Sequence, residues 1–302
     1  MRTPTPATVV LNPAARCLRR PGFAARLEQA LATALERATI LKPASPAAAR
    51  AAIAEVREGL LVVAGGDGAI NLAVNALADP APALAIIPSG TANDLARALG
   101  LPAEVDSAAA ALGGQIRHVD VLTVNGRRFC TTGGLGLPAL VAQAANTVKR
   151  QRGTSLLGHH LYAAVAGSQI LARRRLRRRI RLDWVCADTG AARHLEAEVY
   201  GVLVTNVGAV AGSLRLCEAR PDDGVFEICL LPATGRPRLL RLLLALARGR
   251  PARPGTLPAL RARAARLQVA EPTPFLGDGE ILARTSAFEL GVLPAALCVV
   301  AP

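Results

Sequence analysis

The chain has 302 residues, of which 51% are apolar and 3% are aromatic. That apolar share can build a packed core, so an intrinsically disordered protein is excluded. The formal net charge of +14 favours anionic partners such as phosphates, nucleic acids or acidic membrane surfaces, while the scarcity of aromatic side chains argues against a nucleic-acid binder that stacks bases.

The first third of the chain alternates between predicted strands and predicted helices. Apolar strands are expected at residues 8–11, 38–41, 60–64 and 84–87. Leucines that repeat every four residues after Phe23 predict an amphipathic helix, and Ser45-Pro46 is typical of a helix start with Ser as the N-cap. This β-α-β-α-β order predicts a parallel sheet with helices on both faces, and ligands in such sheets bind outside the carboxyl ends of the strands.

The pattern changes near residue 116, and the second half is predicted to be rich in strands. Asn125-Gly126 between two apolar runs predicts a hairpin with a type I′ turn. Further strands are expected at residues 180–186, 194–199, 201–206, 225–230, 267–270, 287–290 and 298–300, with helices at about 155–178 and 239–247. This half of the chain therefore predicts a β-sandwich.

A first glycine-rich turn, Gly-Gly-Asp-Gly at residues 65–68, lies between a buried strand and a helix. Glycines at such a position let backbone N–H groups approach phosphate oxygens, and the helix N-terminus adds partial positive charge. Asp67 suits this site if it acts through Mg²⁺ bound to a triphosphate. An ordinary tight turn explains these four residues equally well when they are considered alone.

A second glycine-rich turn follows the next strand, within residues 88–97. Thr91 and Asn93 supply neutral hydrogen-bond donors there, and Asp94 is expected to cap the helix that follows. Because the two turns end neighbouring strands, they can enclose one polyphosphate.

These motifs, taken in order, resemble a known family. Asn12-Pro13, residues 65–71 (GGDGAIN) and residues 88–100 (PSGTANDLARALG) are similar in order and spacing to the diacylglycerol-kinase-type lipid kinases, bacterial branch. Residues 220–227 resemble that family's DDG segment, and residues 277–280 resemble its late D-G-E motif. GGDG alone is shared with NAD kinases and phosphofructokinases, whereas the second motif is more specific.

The resemblance implies two domains. A nucleotide-binding α/β domain with a parallel sheet, of the NAD-kinase and phosphofructokinase type, is expected at residues 1–118, and residues 290–302 return to it. A β-sandwich domain that binds the lipid is expected at residues 119–289. The nucleotide would lie in the cleft between them.

The resemblance also implies roles for individual residues. Catalysis is assigned to Asp67, Asp278 and Glu280, with Glu280 as the general base on the acceptor hydroxyl. A structural Mg²⁺ is assigned to the Asp223 carboxylate with the backbone carbonyls of Arg220 and Val225. The residues expected to bind the nucleotide are Asn12, Gly65, Gly66, Asp67, Gly68, Ala69, Ile70, Asn71, Gly90, Thr91, Asn93 and Asp94. Turn chemistry alone also explains residues 222–224 and 278–280.

The implied activity is the ATP- and Mg²⁺-dependent phosphorylation of a lipid hydroxyl, such as that of diacylglycerol. Ala69 stands where the family usually carries threonine, so a hydroxyl contact worth on the order of 1 kcal/mol is lost. Two alternatives stay open at this point: a NAD-kinase-like kinase of a soluble substrate, and a degenerate member that binds nucleotide or membrane without turnover.

An arginine run at residues 173–181 holds seven arginines in nine positions and follows an apolar helical stretch. Such a run would hold the protein on an anionic membrane surface. A solvated charge run and nucleic-acid binding are the alternatives, and the low aromatic content predicts no nucleic-acid partner. A homodimer is left open.

Location is predicted from two absences in the sequence. The six cysteines form no C-x-x-C pair, and the first residues carry no apolar run, which predicts reduced thiols in a cytoplasmic protein. Uncharged stretches at residues 129–148 and 153–172 are weaker than a membrane-spanning helix requires. The expected location is therefore cytoplasmic, with peripheral membrane association.

Overall fold

The computed structural model describes residues 6–11, 22–77, 81–90, 92–152, 158–172, 176–212, 214–250 and 256–302. The chain divides into two compact units, Met1–Val119 with Ala295–Pro302, and Asp120–Pro294. The sequence predicts these limits at 118/119 and 289/290.

The strands are β1 (Ala7–Leu11), β2 (Ala38–Leu41), β3 (Leu60–Gly65), β4 (Ala83–Pro88), β5 (Gln115–Val124), β6 (Arg127–Phe129), β7 (Thr132–Gly136), β8 (Arg178–Cys186), β9 (Ala192–Thr205), β10 (Ala209–Val210), β11 (Leu214–Arg215), β12 (Phe226–Pro232), β13 (Ala259–Gly277) and β14 (Glu280–Ala301). The helices are α1 (Phe23–Ala34), α2 (Pro46–Ala54), α3 (Asp67–Ala76), α4 (Asp94–Ala98), α5 (Val105–Ala110), α6 (Leu137–Arg152), α7 (Gly158–Ala172) and α8 (Arg236–Ala247).

The first unit is built on a parallel sheet, as the alternation of strands and helices predicted. Its strand order is β2-β1-β3-β4, and the end of β14 adds to β4 in parallel through Val299 and Leu84. Strands β3 and β4 end together, because Gly65 lies opposite Pro88 in the register. The two glycine turns therefore leave the sheet side by side.

Helices α1 and α2 of this unit begin and pack where the sequence predicted. Leu27 and Leu31 of α1 are fully buried against the core that Val9 and Val62 of the sheet contribute to. Helix α2 starts with Pro46, and the Ser45 hydroxyl accepts a hydrogen bond from the Ala48 N–H at 3.1 Å. That bond satisfies one of the donors that a helix start leaves unpaired.

The second unit is built from antiparallel strands. Strands β12, β9, β7 and β13 pair in this order, and β8 pairs with both β9 and β13. Its core holds four fully buried phenylalanines: Phe129, Phe226, Phe275 and Phe288. The predicted type I′ turn is confirmed, since Asn125 and Gly126 both adopt positive φ, at 47° and 78°.

One predicted feature of this unit is wrong, and two elements were missed. The single helix expected at residues 155–178 is α7, which ends at Ala172, and β8 begins at Arg178 inside the arginine run. Strand β7 and helix α6 were not predicted, because β7 is rich in glycine and lacks an apolar alternation. A methyl group built on Gly134 would lie 2.3 Å from the Val202 carbonyl oxygen, so the close approach of β9 requires glycine there.

The predicted late strands at residues 267–270 and 287–290 are parts of two long strands, β13 and β14, that form one hairpin. The register shifts between Gln268 and Thr273, around Pro272, which explains why the sequence pattern is interrupted there. Among the described residues, no helix has the length and apolar character needed to cross a membrane.

Candidate nucleotide and acceptor sites

The two glycine turns pack backbone against backbone in the first unit. A methyl group on Gly66 would lie 2.8 Å from the Gly90 Cα, and one on Gly90 would lie 2.5 Å from the Gly66 Cα. The Ser89 N–H also donates to the Gly65 carbonyl at 3.0 Å. No side chain fits between the turns, so the glycines are required by packing as well as by any ligand.

Asp67 ties the first turn to the second. Its Oδ1 accepts a hydrogen bond from the backbone N–H of Asp94, at 2.7 Å. Asp94 was predicted to cap α4, but it is the first residue of that helix, and the carboxylate of Asp67 serves the helix start instead. A carboxylate at a helix N-terminus is favourable, since it meets an unpaired donor and the positive end of the helix dipole.

Asn93 fixes the shape of the second turn. Its Oδ1 accepts from the Gly90 N–H at 2.9 Å, while its Nδ2 donates to the Gly90 carbonyl at 3.2 Å. Its φ of 51° lies in the left-handed region, which asparagine tolerates better than most residues. The side chain predicted to contact a nucleotide thus holds its own loop.

The first turn of α3 has open space at Gly68. Gly68 is exposed, and a methyl group built on it meets nothing within 4 Å. A helix start leaves its first N–H groups without an intrahelical acceptor, which suits a phosphate. Ile70 and Asn71, in contrast, are 2% and 8% exposed, so their side chains belong to the protein interior.

Not every predicted nucleotide contact can be placed. Asn12 and Thr91 lie outside the described residues. Ala69 is half-buried, and a methyl group built on Gly65 would lie 2.4 Å from its Cβ. Position 69 therefore faces the end of β3, beside the first turn.

The acidic turn of the second unit joins β13 to β14. Asp278 and Gly279 both have positive φ, at 50° and 85°, as in a two-residue hairpin turn. The Asp278 carboxylate accepts from the Cys130 N–H at 2.8 Å and the Thr131 N–H at 2.9 Å, and also from the Thr131 hydroxyl. The carboxylate of Asp278 therefore anchors the turn to the loop before β7.

Glu280 differs from Asp278 in its surroundings. It is exposed, and it has no hydrogen-bond or ion-pair partner in the described part of the chain. Its neighbour Ile281 is 48% exposed. Asn146 of α6, which the sequence analysis missed, donates from Nδ2 to the Gly279 carbonyl at 3.0 Å. The turn thus holds an accessible carboxylate on a well-anchored backbone.

The loop at residues 220–225 is held by Asp120, a second residue that the sequence analysis missed. Asp120 is 2% exposed, and its Oδ2 accepts from the Gly224 N–H at 2.6 Å. Its own N–H donates to the Pro221 carbonyl at 2.7 Å, and its carbonyl accepts from Asn206 Nδ2 at 3.1 Å. An acid inside the largely apolar run at residues 119–124 of β5 was the available signal in the sequence.

The surroundings of Asp223 bear on the predicted structural Mg²⁺. Asp223 Oδ2 lies 3.0 Å from Nη2 of Arg261, and the buried Glu227 lies beside this pair, 3.6 Å from Nε of Arg261. Burial, and then the charge of Asp223, raise the pKa of Glu227 to about 7, which Arg261 partly opposes. Glu227 Oε2 is buried without a hydrogen-bond partner.

The carboxylates of Asp223 and Glu227 share one guanidinium, and one oxygen of Glu227 has no hydrogen-bond partner. The charge of this group would suit a bound cation. Within the described ranges, no three His, Cys, Asp or Glu side chains are placed to hold a metal ion. The predicted site uses one side chain, Asp223, and two carbonyls, so it stays a prediction.

The arginine run is only partly described, because residues 173–175 lie outside the described ranges. Arg177, just before β8, lies 3.5 Å from Glu198, and Arg181 on β8 lies 3.6 Å from Asp183. These pairs reduce the net charge of the run where it can be seen.

Comparison with protein families agrees with both units. Residues 6–124 match the family model described as the diacylglycerol kinase catalytic domain. Residues 132–301 match the model described as the YegS C-terminal NAD kinase beta sandwich-like domain.

Curated relatives carry related names. A protein named "Diacylglycerol kinase" from Bacillus subtilis is 30% identical over 254 residues, covering 82% of this chain and 79% of that protein. A protein of the same name from Mycobacterium tuberculosis is 29% identical, covering 83% and 79%. The "Probable lipid kinase YegS-like" of Pseudomonas aeruginosa is 32% identical over 177 residues. The match covers 57% of this chain and about half, 54%, of that relative.

A solved structure has the same fold. The crystal structure of a diacylglycerol kinase from Bacillus anthracis str. Sterne matches with a TM-score of 0.76 at 23% identity, covering 100% of this chain and 99% of that one.

Proposed function

Because the chain belongs to the diacylglycerol kinase family, we propose that it transfers the γ-phosphoryl group of ATP to the hydroxyl of a lipid such as diacylglycerol. The observation that carries the proposal is the contact between Gly66 and Gly90, which brings two glycine turns together at the carboxyl ends of β3 and β4. Ligands of parallel sheets bind at this edge.

The nucleotide phosphates are assigned to the first turn of α3. Exposed Gly68 lets phosphate oxygens approach the backbone closely, and the N-terminus of a ten-residue helix adds favourable charge. When bound, Mg²⁺ neutralises the charge that develops between the phosphates. Asp67 is the acid beside this site, and its bond to the Asp94 N–H holds the second turn in place.

The acceptor hydroxyl is assigned to Glu280. Phosphoryl transfer depends mainly on positioning and charge neutralisation, and a carboxylate that accepts the hydroxyl proton completes it. Glu280 is the accessible acid of the D-G-E turn, whereas Asp278 is engaged by two backbone N–H groups. Asp278 then acts as a positioning residue that holds the turn.

Two further assignments belong to this proposal. The carboxylate of Asp223, with the carbonyls of Arg220 and Val225, would hold a structural Mg²⁺ that stiffens the loop. The protein would act at the surface of a cytoplasmic membrane, where its lipid substrate is found.

A labelling experiment tests the activity. The protein is incubated with γ-labelled ATP, Mg²⁺ and mixed lipids, and label is expected in the organic phase. Label confined to water-soluble product would favour a kinase of a soluble substrate. Nucleotide that binds without any transfer would identify a degenerate member.

The Glu280→Gln variant tests the assigned base. Turnover should be lost while the affinity for nucleotide changes little, because the side chain is exposed and has no partner in the described part of the chain. Equal loss of both quantities would contradict the role of Glu280.

A further inference from the structure

Helix α8 carries a basic face that the sequence analysis did not single out. Leu239 and Leu246 are buried on one side of the helix. On the opposite side, Arg238, Arg241 and Leu244 are exposed, and Arg248 continues the same stripe just beyond the helix end. Spacings of three, three and four residues place these side chains on one helical face.

The charge on this face is not neutralised nearby. Residues 236–250 include five arginines and no acidic residue. Within the described ranges, neither Arg238 nor Arg241 has a hydrogen-bond or ion-pair partner. Two arginines of the arginine run differ, since Arg177 lies beside Glu198 and Arg181 lies beside Asp183.

An exposed apolar surface accompanies the charge. Leu244 is 50% exposed at the centre of the stripe. Helix α7 packs beside α8, since Ile170 lies in the same buried cluster as Leu239 and Leu246. The next residue of α7, Leu171, is 69% exposed, and α7 contains no charged residue.

We propose that the α8 face formed by Arg238, Arg241 and Leu244, with the exposed Leu171 of the neighbouring helix α7, binds the surface of an anionic phospholipid bilayer. Arginine side chains meet acidic headgroups, and exposed leucines enter the boundary between headgroups and acyl chains. A nucleic acid would match the positive charge but has no apolar region that the exposed leucines could enter. The proposal rests on the proposed lipid-kinase function, because a bilayer is where a lipid acceptor is offered.

This face adjoins the helices that reach the acidic turn. Helix α6 packs against α7, where Ala145 lies in a buried cluster with Leu161 and Val165. Asn146, the next residue of α6, donates to the Gly279 carbonyl. A continuous helical layer of the second unit therefore runs from the basic face to the turn that carries Glu280.

Sedimentation with vesicles tests the proposal. The full chain is mixed with sucrose-loaded vesicles of phosphatidylcholine, with or without half phosphatidylglycerol, in 0.1 M salt. We expect binding only to the anionic vesicles. Arg238→Gln with Arg241→Gln should partition about thirty-fold more weakly, since each arginine contributes about 1 kcal/mol near such a surface.

A matched control separates this face from overall charge. Arg263→Gln with Arg266→Gln removes the same charge from exposed positions on β13 and should bind vesicles like the wild type. Equal losses in the two double variants would overturn the proposal, as would binding of duplex DNA but not vesicles through Arg238 and Arg241. Leu244→Ser, which keeps every charge, should weaken vesicle binding several-fold; unchanged binding would remove the apolar part of the proposal.

Two further readouts keep the result independent of folding and of the proposed kinase activity. Thermal unfolding of each variant should match the wild type, because all substituted side chains are exposed. Vesicle binding needs no nucleotide, so it can succeed even if no lipid is phosphorylated. If the kinase proposal holds, Arg238→Gln with Arg241→Gln should keep its activity on a dispersed short-chain acceptor and lose it on vesicles; loss on both would contradict a docking role.

Discussion

Replacing Asp278 with alanine should destabilise the second unit, because the carboxylate fastens the turn between β13 and β14. The N–H groups of Cys130 and Thr131 would lose their acceptor, and alanine would have to adopt a φ of 50°. An orphaned donor costs about 1–3 kcal/mol, and a left-handed backbone costs about 1 kcal/mol more. Since Asp278 is only half-buried, we expect the lower end, about 3 kcal/mol in total.

Thermal unfolding of three variants measures this effect. For a unit of this size, 1 kcal/mol shifts Tm by about 2–4 °C, so Asp278→Ala should unfold about 6–12 °C below the wild type. Asp278→Asn keeps one acceptor oxygen and tolerates positive φ, so it should lose only about 1 kcal/mol. Glu280→Gln should unfold with the wild type, because Glu280 is exposed and has no partner in the described ranges.

Two results would refute this reasoning. An Asp278→Ala variant that unfolds at the wild-type temperature would show that the carboxylate does not anchor the turn. An Asp278→Asn variant with wild-type Tm and no turnover would place Asp278 in the chemical step itself. On the anchoring account, Asp278→Asn keeps a measurable kcat while Glu280→Gln loses it.

Four other substitutions give separate tests. Gly68→Ala should keep or raise Tm and weaken nucleotide binding. Gly90→Ala should lower Tm, because its methyl group would meet the Gly66 backbone. Equal losses of Tm in the two variants, measured by thermal unfolding, would contradict this. Ala69→Thr should tighten nucleotide binding about five-fold by calorimetry if a hydroxyl bond of about 1 kcal/mol is restored, and unchanged affinity would count against that contact. Glu227 holds its proton more tightly when folded, with a pKa raised to about 7 by burial. The wild type should therefore lose stability relative to Glu227→Gln as pH rises from about 4.5 to 7, by on the order of 3 kcal/mol, and parallel pH profiles would refute it.

The parallel sheet could be predicted because its signals are local. Each of these signals specifies one element without reference to the rest of the chain: a buried apolar run, a Ser-Pro helix start, or a leucine at every fourth position. The hairpin at Asn125-Gly126 is similar, since only a few residues accept positive φ at both central positions.

The elements that were missed depend on partners distant in sequence. Strand β7 contains glycines because β9 passes too close for any side chain, as the contact between Gly134 and the Val202 carbonyl illustrates. No periodicity reveals a strand that is defined by its neighbour. Helix α6 follows directly, and with it Asn146, whose bond to Gly279 joins residues 133 positions apart.

The sequence assigns both acids of the D-G-E turn, Asp278 and Glu280, to catalysis, yet the structure gives them different surroundings. Asp278 has a positive φ in the hairpin turn, and its side chain accepts hydrogen bonds from the N–H groups of Cys130 and Thr131. Glu280, two residues later, begins β14 and stays accessible. The oxygens of Asp278 are engaged by donors of the loop before β7, so the accessible carboxylate of Glu280 is the one that a substrate hydroxyl can reach. The division of roles follows from which acid the loop before β7 engages, and only the three-dimensional structure reveals that contact.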